Sequence, residues 1–213
     1  MIAKQKNGYL EDMHDRWISP KTREIWIHGV DSNVDCEYDG EETGVEYMMA
    51  NKVIKNLHYL LHQSRRSPVT IHMKSCGGVF EEGMAIYDTI KAMPYKVKII
   101  SYTHARSMSS IILQAADERI ILPSSYFMFH YGTLFVSGVA QQVHSAVDFS
   151  KKCDDKMMQI YVDSCKNSVK FKDKTDKQIH SVLKKQMNEK VDVFLTAEET
   201  IEWGFADSIL DRF

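Results

Sequence analysis

Three side chains, taken in chain order, have the types needed for one reaction: Ser107, His130 and Asp192. Ser107 stands in Thr103-His104-Ala105-Arg106-Ser107-Met108, after a strand-like run at 97–100 and before an apolar run ending at Ala116. A serine on a strand-to-helix turn is exposed. The free N–H groups at a helix start can hold the negative oxygen that forms when a carbonyl is attacked. His130 closes the strand-like Tyr126-Phe127-Met128-Phe129, and Asp192 lies in Val191-Asp192-Val193-Phe194-Leu195. Together they supply a nucleophile, a base and a group to orient the base, so a hydrolase is the leading reading. Each alone has a plainer one: a serine at a helix start is commonly an N-cap, a lone histidine is commonly a core or surface residue, and a lone aspartate carries no signal. His58 and His62 are four residues apart on a predicted helix. The HYLLH run lacks the internal glutamate of zinc peptidases and offers only two ligands, so it reads as a solvated face and no metal is expected.

The elements that must position these groups alternate. Strand patterns fall at 24–28, 69–74, 97–102 and 119–122 with helical patterns between them, which is the order of an α/β fold built from βαβ units. Met49, Val53, Leu57, Leu60 and Leu61 form a helical stripe that should face the core. An acidic, glycine-bearing loop is expected at 31–44. Residues 138–166 read as one helix, which at ~1.5 Å per residue runs roughly 40 Å, longer than a compact domain needs. Thr175 with Gln178 and Thr196 with Glu199 are two capping boxes, and Asp192 is expected in a short strand between the helices they open.

Motifs along the chain narrow the class. Ser75-Cys76-Gly77-Gly78 follows the strand at 69–74; then come Ile86-Tyr87-Asp88-Thr89, Ala105-Arg106-Ser107-Met108 and Met128-Phe129-His130. The chain closes with Asp192-Val193-Phe194-Leu195-Thr196-Ala197-Glu198-Glu199 and Glu202-Trp203-Gly204-Phe205-Ala206-Asp207-Ser208-Ile209-Leu210. In this order and spacing, from about Arg23 to Leu210, the sequence resembles the proteolytic subunit of the Clp protease family. Cys76 stands where the family has proline, Thr103 where it has glycine and Arg106 where it has a second alanine. The Tyr131-Gly132-Thr133-Leu134-Phe135-Val136-Ser137-Gly138 stretch stands where the family has Gln-Pro and a Gly-Gly pair.

The resemblance implies a crotonase-like/Clp-protease fold of repeated β-β-α units with a projecting handle helix. It divides the chain into an N-terminal segment, 1–22, and a peptidase domain, 23–213, with the handle at about 133–168. It makes Ser107 the attacking group, His130 the proton carrier and Asp192 the residue that fixes the imidazole tautomer, with the oxyanion between the backbone N–H groups of Gly78 and Met108. It implies stacked seven-membered homo-oligomeric rings, unfolded polypeptide substrates and a ring-shaped Clp-type ATPase unfoldase. That partner would dock on apolar clefts between subunits and on the segment at 2–10. No metal or organic cofactor is implied. In a projecting handle, Met157 and Ile160 should have no partner within the chain and should bury only against another subunit.

Composition agrees. At 213 residues and 44% hydrophobic content, the chain suits one well-buried domain. Its 27 basic and 29 acidic residues nearly balance, so neither a nucleic acid nor a membrane surface is an expected partner. No signal-peptide core and no run of ~20 apolar residues is seen, and a cytoplasmic protein is expected. Cys36, Cys76, Cys153 and Cys165 show no CxxC spacing, which fits a reducing compartment. There is no GxxxxGK[ST] loop, so ATP hydrolysis by that route belongs to a partner. Two other classes share the frame. A non-catalytic structural subunit has no chemical reason to keep Ser107, His130 and Asp192 together, and a crotonase-like acyl-CoA enzyme has no need of them. A Ser-Lys peptidase would share the Gly-Gly and Ser elements, but His130 at the end of Met128-Phe129-His130 points away from it.

Overall fold

The computed structural model describes residues 2–28 and 44–212, with side chains from Tyr9 onward in the first stretch. The expected loop at 31–44 lies outside the described residues except for Gly44, and Cys36 falls with it. Of the side chains at 2–10, only Tyr9 and Leu10 are described.

In chain order the elements are α1 (Ile2–Asp15), β1 (Ile18–Ser19), β2 (Glu24–His28), α2 (Tyr47–Gln63), β3 (Val69–Ser75), α3 (Phe80–Ala92), β4 (Val97–Arg106) and α4 (Met108–Leu113). They continue with β5 (Glu118–Ile121), β6 (Tyr126–Phe129), α5 (Ala140–Cys165), α6 (Asp176–Lys190), β7 (Val193–Leu195), α7 (Ala197–Trp203) and β8 (Ser208–Ile209). Local chemistry explains several boundaries. The Glu46 carboxylate accepts from the N–H groups of Met48 and Met49, both at 2.7 Å, and so caps α2. The helix then buries Met49, Val53, Leu57 and Leu60 of the stripe read from the spacing, while Leu61 is half-buried against the core. Both capping boxes form, at Thr175 with Gln178 and Thr196 with Glu199, and α7 ends on Gly204 in the left-handed region at φ 83°.

The sheet runs β1-β2-β3-β4-β5-β8, with β6 paired to β4 and β7 paired to β6. All pairings are parallel except β1 with β2 and β6 with β7. Strand β4 is the hinge of this arrangement. Its first half pairs with β5 from Lys98 to Ser101, and its second half pairs with β6 from His104 to Arg106. One strand therefore carries the chain from the main sheet to the β6–β7 pair and ends one residue before Ser107. Helices α2, α3 and α4 cover one face, where Ile25, Ile27, Ile71, Met73, Ile99, Ile111 and Ile112 are buried. A second part of the core is aromatic: Phe127 stacks on Phe205 with centroids 4.5 Å apart, and Tyr161 meets both Phe129 and Phe205 at 5.6 Å.

Helix α5 corrects one expectation. Met157, Ile160 and Tyr161 are only 7%, 8% and 1% exposed, so they do have partners within the chain. The C-terminal half of α5 lies against α4 and α6 and presses Tyr161 into the ring cluster. Only its N-terminal half stands clear, with Phe149 54% exposed and Val139, the residue that precedes the helix, 63% exposed. A second difference is small. Helix α6 runs on to Lys190, and Asp192 sits just ahead of β7 rather than inside a strand. Among the described residues no helix is long and apolar enough to cross a membrane.

The far end of the sheet is fastened by Arg119. Its backbone N–H and its guanidinium both reach the Asp207 carboxylate, at 2.7 Å and 2.5 Å, and a further guanidinium N–H donates to the Gly204 carbonyl at 2.8 Å. Partial burial pushes the Asp207 pKa up, but the hydrogen bonds and charge of Arg119 outweigh it and the net shift is downward. A lowered acid stabilises the fold above its unfolded pKa near 3.8 and loses that contribution as pH falls through the folded value. Asp207→Asn should therefore lower the melting temperature at pH 7, with a stability loss of roughly 1 kcal/mol after solvent screening. The gap between wild type and variant should close in melts taken progressively below pH ~4. A gap that stayed constant into strong acid would show that the ion pair is not its cause.

Candidate active site

Strand register brings the sequence-read residues together. Arg106 of β4 lies opposite Met128 of β6, so Ser107 follows directly, and its N–H donates to the Met128 carbonyl at 3.1 Å. On the other edge of β6, Phe127, Met128 and Phe129 face Leu195, Phe194 and Val193 of β7 in antiparallel register. One step further along that register, His130 meets Asp192. His130 Nδ1 is 2.9 Å from Asp192 Oδ1, and His130 Nε2 is 2.9 Å from Ser107 Oγ. An ionised carboxylate can only accept, so Nδ1 carries the proton. Nε2 is then an acceptor aimed at the serine hydroxyl. The imidazole is 19% and the carboxylate 30% exposed, partly shielded yet open to a substrate.

Ser107 itself is strained. Its φ of 50° and ψ of −125° lie outside the regions that side-chain-bearing residues favour, a conformation worth about 1–3 kcal/mol against the fold. Such a turn lifts the side chain clear of both strand and helix, a geometry also found at the strand-to-helix nucleophile turns of α/β-hydrolases.

The glycine pair abuts this turn. Gly77 has φ 100° and Gly78 φ 149°, and a bridge between Val45 and Gly78 holds the loop from the far side. Val45 donates to the Gly77 carbonyl at 2.5 Å, and its own carbonyl accepts from Val79 at 2.8 Å. Among the described residues neither the Gly78 N–H nor the Met108 N–H has an acceptor in the chain. Both residues line the same cleft as Ser107. Val45, which braces the loop, carried no signal in the sequence; a valine beside a glycine looks like any other.

The cleft has a volume of about 860 Å³, a size suited to a segment of substrate. Its walls include Phe80, Leu134, Phe149 and Met157. Asp154 also faces it and accepts from the Gly132 N–H at 3.2 Å, which ties the stretch after His130 to α5. Burial is the largest cause raising the Asp154 pKa, and Asp155 adds to it against the Gly132 N–H and His130. The Cys153 thiol, another wall residue, is pushed up by burial and by the charges of Glu81 and Asp154, so it stays protonated and is not a competing nucleophile. Arg106 is buried, with Nη1 donating to the Tyr126 hydroxyl at 3.4 Å. His58 and His62 are exposed, and no group of three or more metal-ligating side chains occurs among the described residues.

A hydroxyl, an imidazole and a carboxylate in one hydrogen-bonded file, set on an α/β frame beside two open N–H groups, is the layout of a serine hydrolase. The Clp protease family's profile matches residues 42–213, and the chain belongs to that family. It is 31% identical over 172 residues to the ATP-dependent Clp protease proteolytic subunit of Streptococcus suis, covering 79% of this chain and 81% of that protein. It is 28% identical over 172 residues to the subunit of the same name in Deinococcus radiodurans, covering 80% and 78%. The α/β fold and the serine-peptidase class read from the sequence both stand, in a divergent member of the family.

Proposed function

We propose that this chain is the hydrolytic subunit of an ATP-dependent protease and cuts peptide bonds of unfolded polypeptides at Ser107. The observation that carries this reading is the file of two 2.9 Å contacts from Asp192 through His130 to Ser107. His130 Nε2 takes the hydroxyl proton as Ser107 Oγ bonds to the scissile carbonyl carbon. Asp192 steadies the imidazolium, and the same proton goes to the leaving amine as the acyl-enzyme forms. A water then enters, His130 again serves as base, and the carboxylate product leaves with Ser107 restored. The tetrahedral oxygen in each half lies between the N–H groups of Gly78 and Met108.

The names of the two relatives, each an ATP-dependent Clp protease proteolytic subunit, support a Clp-type ATPase as the partner that supplies unfolded chains. The family resemblance supports stacked seven-membered rings. Uncovered apolar side chains on and before the clear half of α5, with Phe135 85% and Val139 63% exposed, support burial against further copies. Among the described residues Cys153 and Cys165 form no disulfide, which supports a reducing, cytoplasmic setting.

A fluorophosphonate probe tests the reading. It is expected to label the purified chain once, with peptide mapping placing the adduct on Ser107, and Ser107→Ala should abolish labelling. Light scattering on the same sample should give a mass many times the 24.6 kDa chain. Absence of any adduct, or an adduct elsewhere, would overturn the hydrolytic reading and favour the structural subunit; a 24.6 kDa species alone would overturn assembly.

A further inference from the structure

The Ser107 turn is held by a second chain of hydroxyls outside the relay. The Ser107 carbonyl accepts twice from Ser110, from its N–H at 3.0 Å and from its Oγ at 2.6 Å. Ser110 Oγ is in turn 2.7 Å from the Tyr161 hydroxyl. A serine hydroxyl has one proton. Because Ser110 gives that proton to the Ser107 carbonyl, Tyr161 must be the donor to Ser110. The order is fixed as Tyr161 O–H to Ser110 Oγ to the Ser107 carbonyl. Ser110 is fully buried and Tyr161 1% exposed, so the link between the two hydroxyls is shielded from water.

We propose that Ser110 and Tyr161 are positioning residues for the nucleophile, a hydroxyl pair that holds the strained Ser107 backbone and thereby aims Oγ at His130. The physical need is plain. A residue at φ 50° tends to relax toward an ordinary conformation unless its surroundings hold it. Rotation about the bond to its carbonyl is the soft coordinate, and two donors on that one oxygen stiffen it. The donor end is secured on its own account, because the Tyr161 ring is wedged among Phe127, Phe129 and Phe205. Burial raises the phenol pKa far above neutrality, so the hydroxyl remains a donor at every working pH. Neighbouring hydrogen bonds in such a chain strengthen one another in a dry interior. Tyr161 belongs to α5, so the seating of that helix and the aim of the nucleophile become one property.

This inference rests on Ser107 being the nucleophile, and the experiment separates the two. Wild type, Tyr161→Phe, Ser110→Ala and the double variant are compared by fluorophosphonate labelling rate, by kcat and KM on a short peptide, and by melting temperature. Tyr161→Phe keeps the ring and its packing. Each single variant is expected to lower the labelling rate and kcat about tenfold with KM unchanged, the value of one buried hydrogen bond that matters at the transition state. Because the pair acts as a unit, the double variant should fall little below the worse single. Labelling and turnover within twofold of wild type in both single variants would overturn the pair's role while leaving the hydrolytic reading intact. Fully additive losses would overturn the pairing, as would losses that vanish once rates are corrected for the folded fraction. No labelling of wild type would remove the hydrolytic reading and the pair's role together.

Discussion

Ser107→Ala is expected to lower kcat for a short peptide by roughly 10⁶-fold, and His130→Ala nearly as far, because groups that work as one unit lose most of their effect when any is removed. The two substitutions act on one event. Without the hydroxyl there is no attacking atom; without the imidazole, a hydroxyl that hardly ionises at neutral pH has nowhere to send its proton. Asp192→Asn should cost less, roughly 10⁴-fold, since the amide can still touch Nδ1 but favours the tautomer that presents a proton, not a lone pair, to Ser107. The order of the three losses is the informative result. Steady-state hydrolysis by variants shown by their melting curves to be folded would measure it. An Asp192→Asn enzyme with full activity would show that the 2.9 Å contact to His130 does not orient the ring.

The sequence made much of this site legible because local chemistry set the frame. Apolar stripes at helical spacing predicted the buried face of α2, and capping boxes at Thr175 and Thr196 marked where α6 and α7 begin. Spaced motifs carried Ser107, Gly77 and Gly78. The contact of His130 with Asp192 is different in kind, since it depends on the register of β6 against β7, which joins residues 62 apart. What escaped the sequence was long-range packing. Met157 and Ile160 showed an apolar face, but nothing in their spacing told whether a subunit or the chain's own α4 and α6 would cover it. Ser110 and Tyr161, 51 residues apart, are a buried serine and a core tyrosine until the fold brings their hydroxyls together. Val45 and Asp154 likewise gain meaning only from the loops they brace, at Gly78 and at Gly132.

Gly77→Ala is expected to reduce kcat by about 10²–10³-fold although Gly77 takes no chemical part in the reaction, the loss associated with misplacing an oxyanion donor or a reacting atom by about an ångström. An added Cβ at Gly77 would sit 2.6 Å from Ser107 Cβ, 2.7 Å from the Arg106 carbonyl oxygen and 2.8 Å from the Met108 nitrogen. Two of these are backbone atoms, so no side chain can swing aside to make room. The glycine cannot retreat freely either, because its carbonyl accepts from Val45 at 2.5 Å and its N–H reaches Ser75 Oγ at 3.3 Å. Its φ of 100° adds strain for any residue with a Cβ. Relief must therefore come from shifting the turn at 77–78 or the turn at 107–108, and either shift moves an N–H proposed to hold the oxyanion. KM should change far less than kcat, since the apolar walls at Phe80, Leu134 and Met157 stay in place. Peptide kinetics with a parallel melting curve would separate this from unfolding. A folded Gly77→Ala enzyme that kept its full kcat would mean that the close packing of the two turns does not govern the chemistry at Ser107.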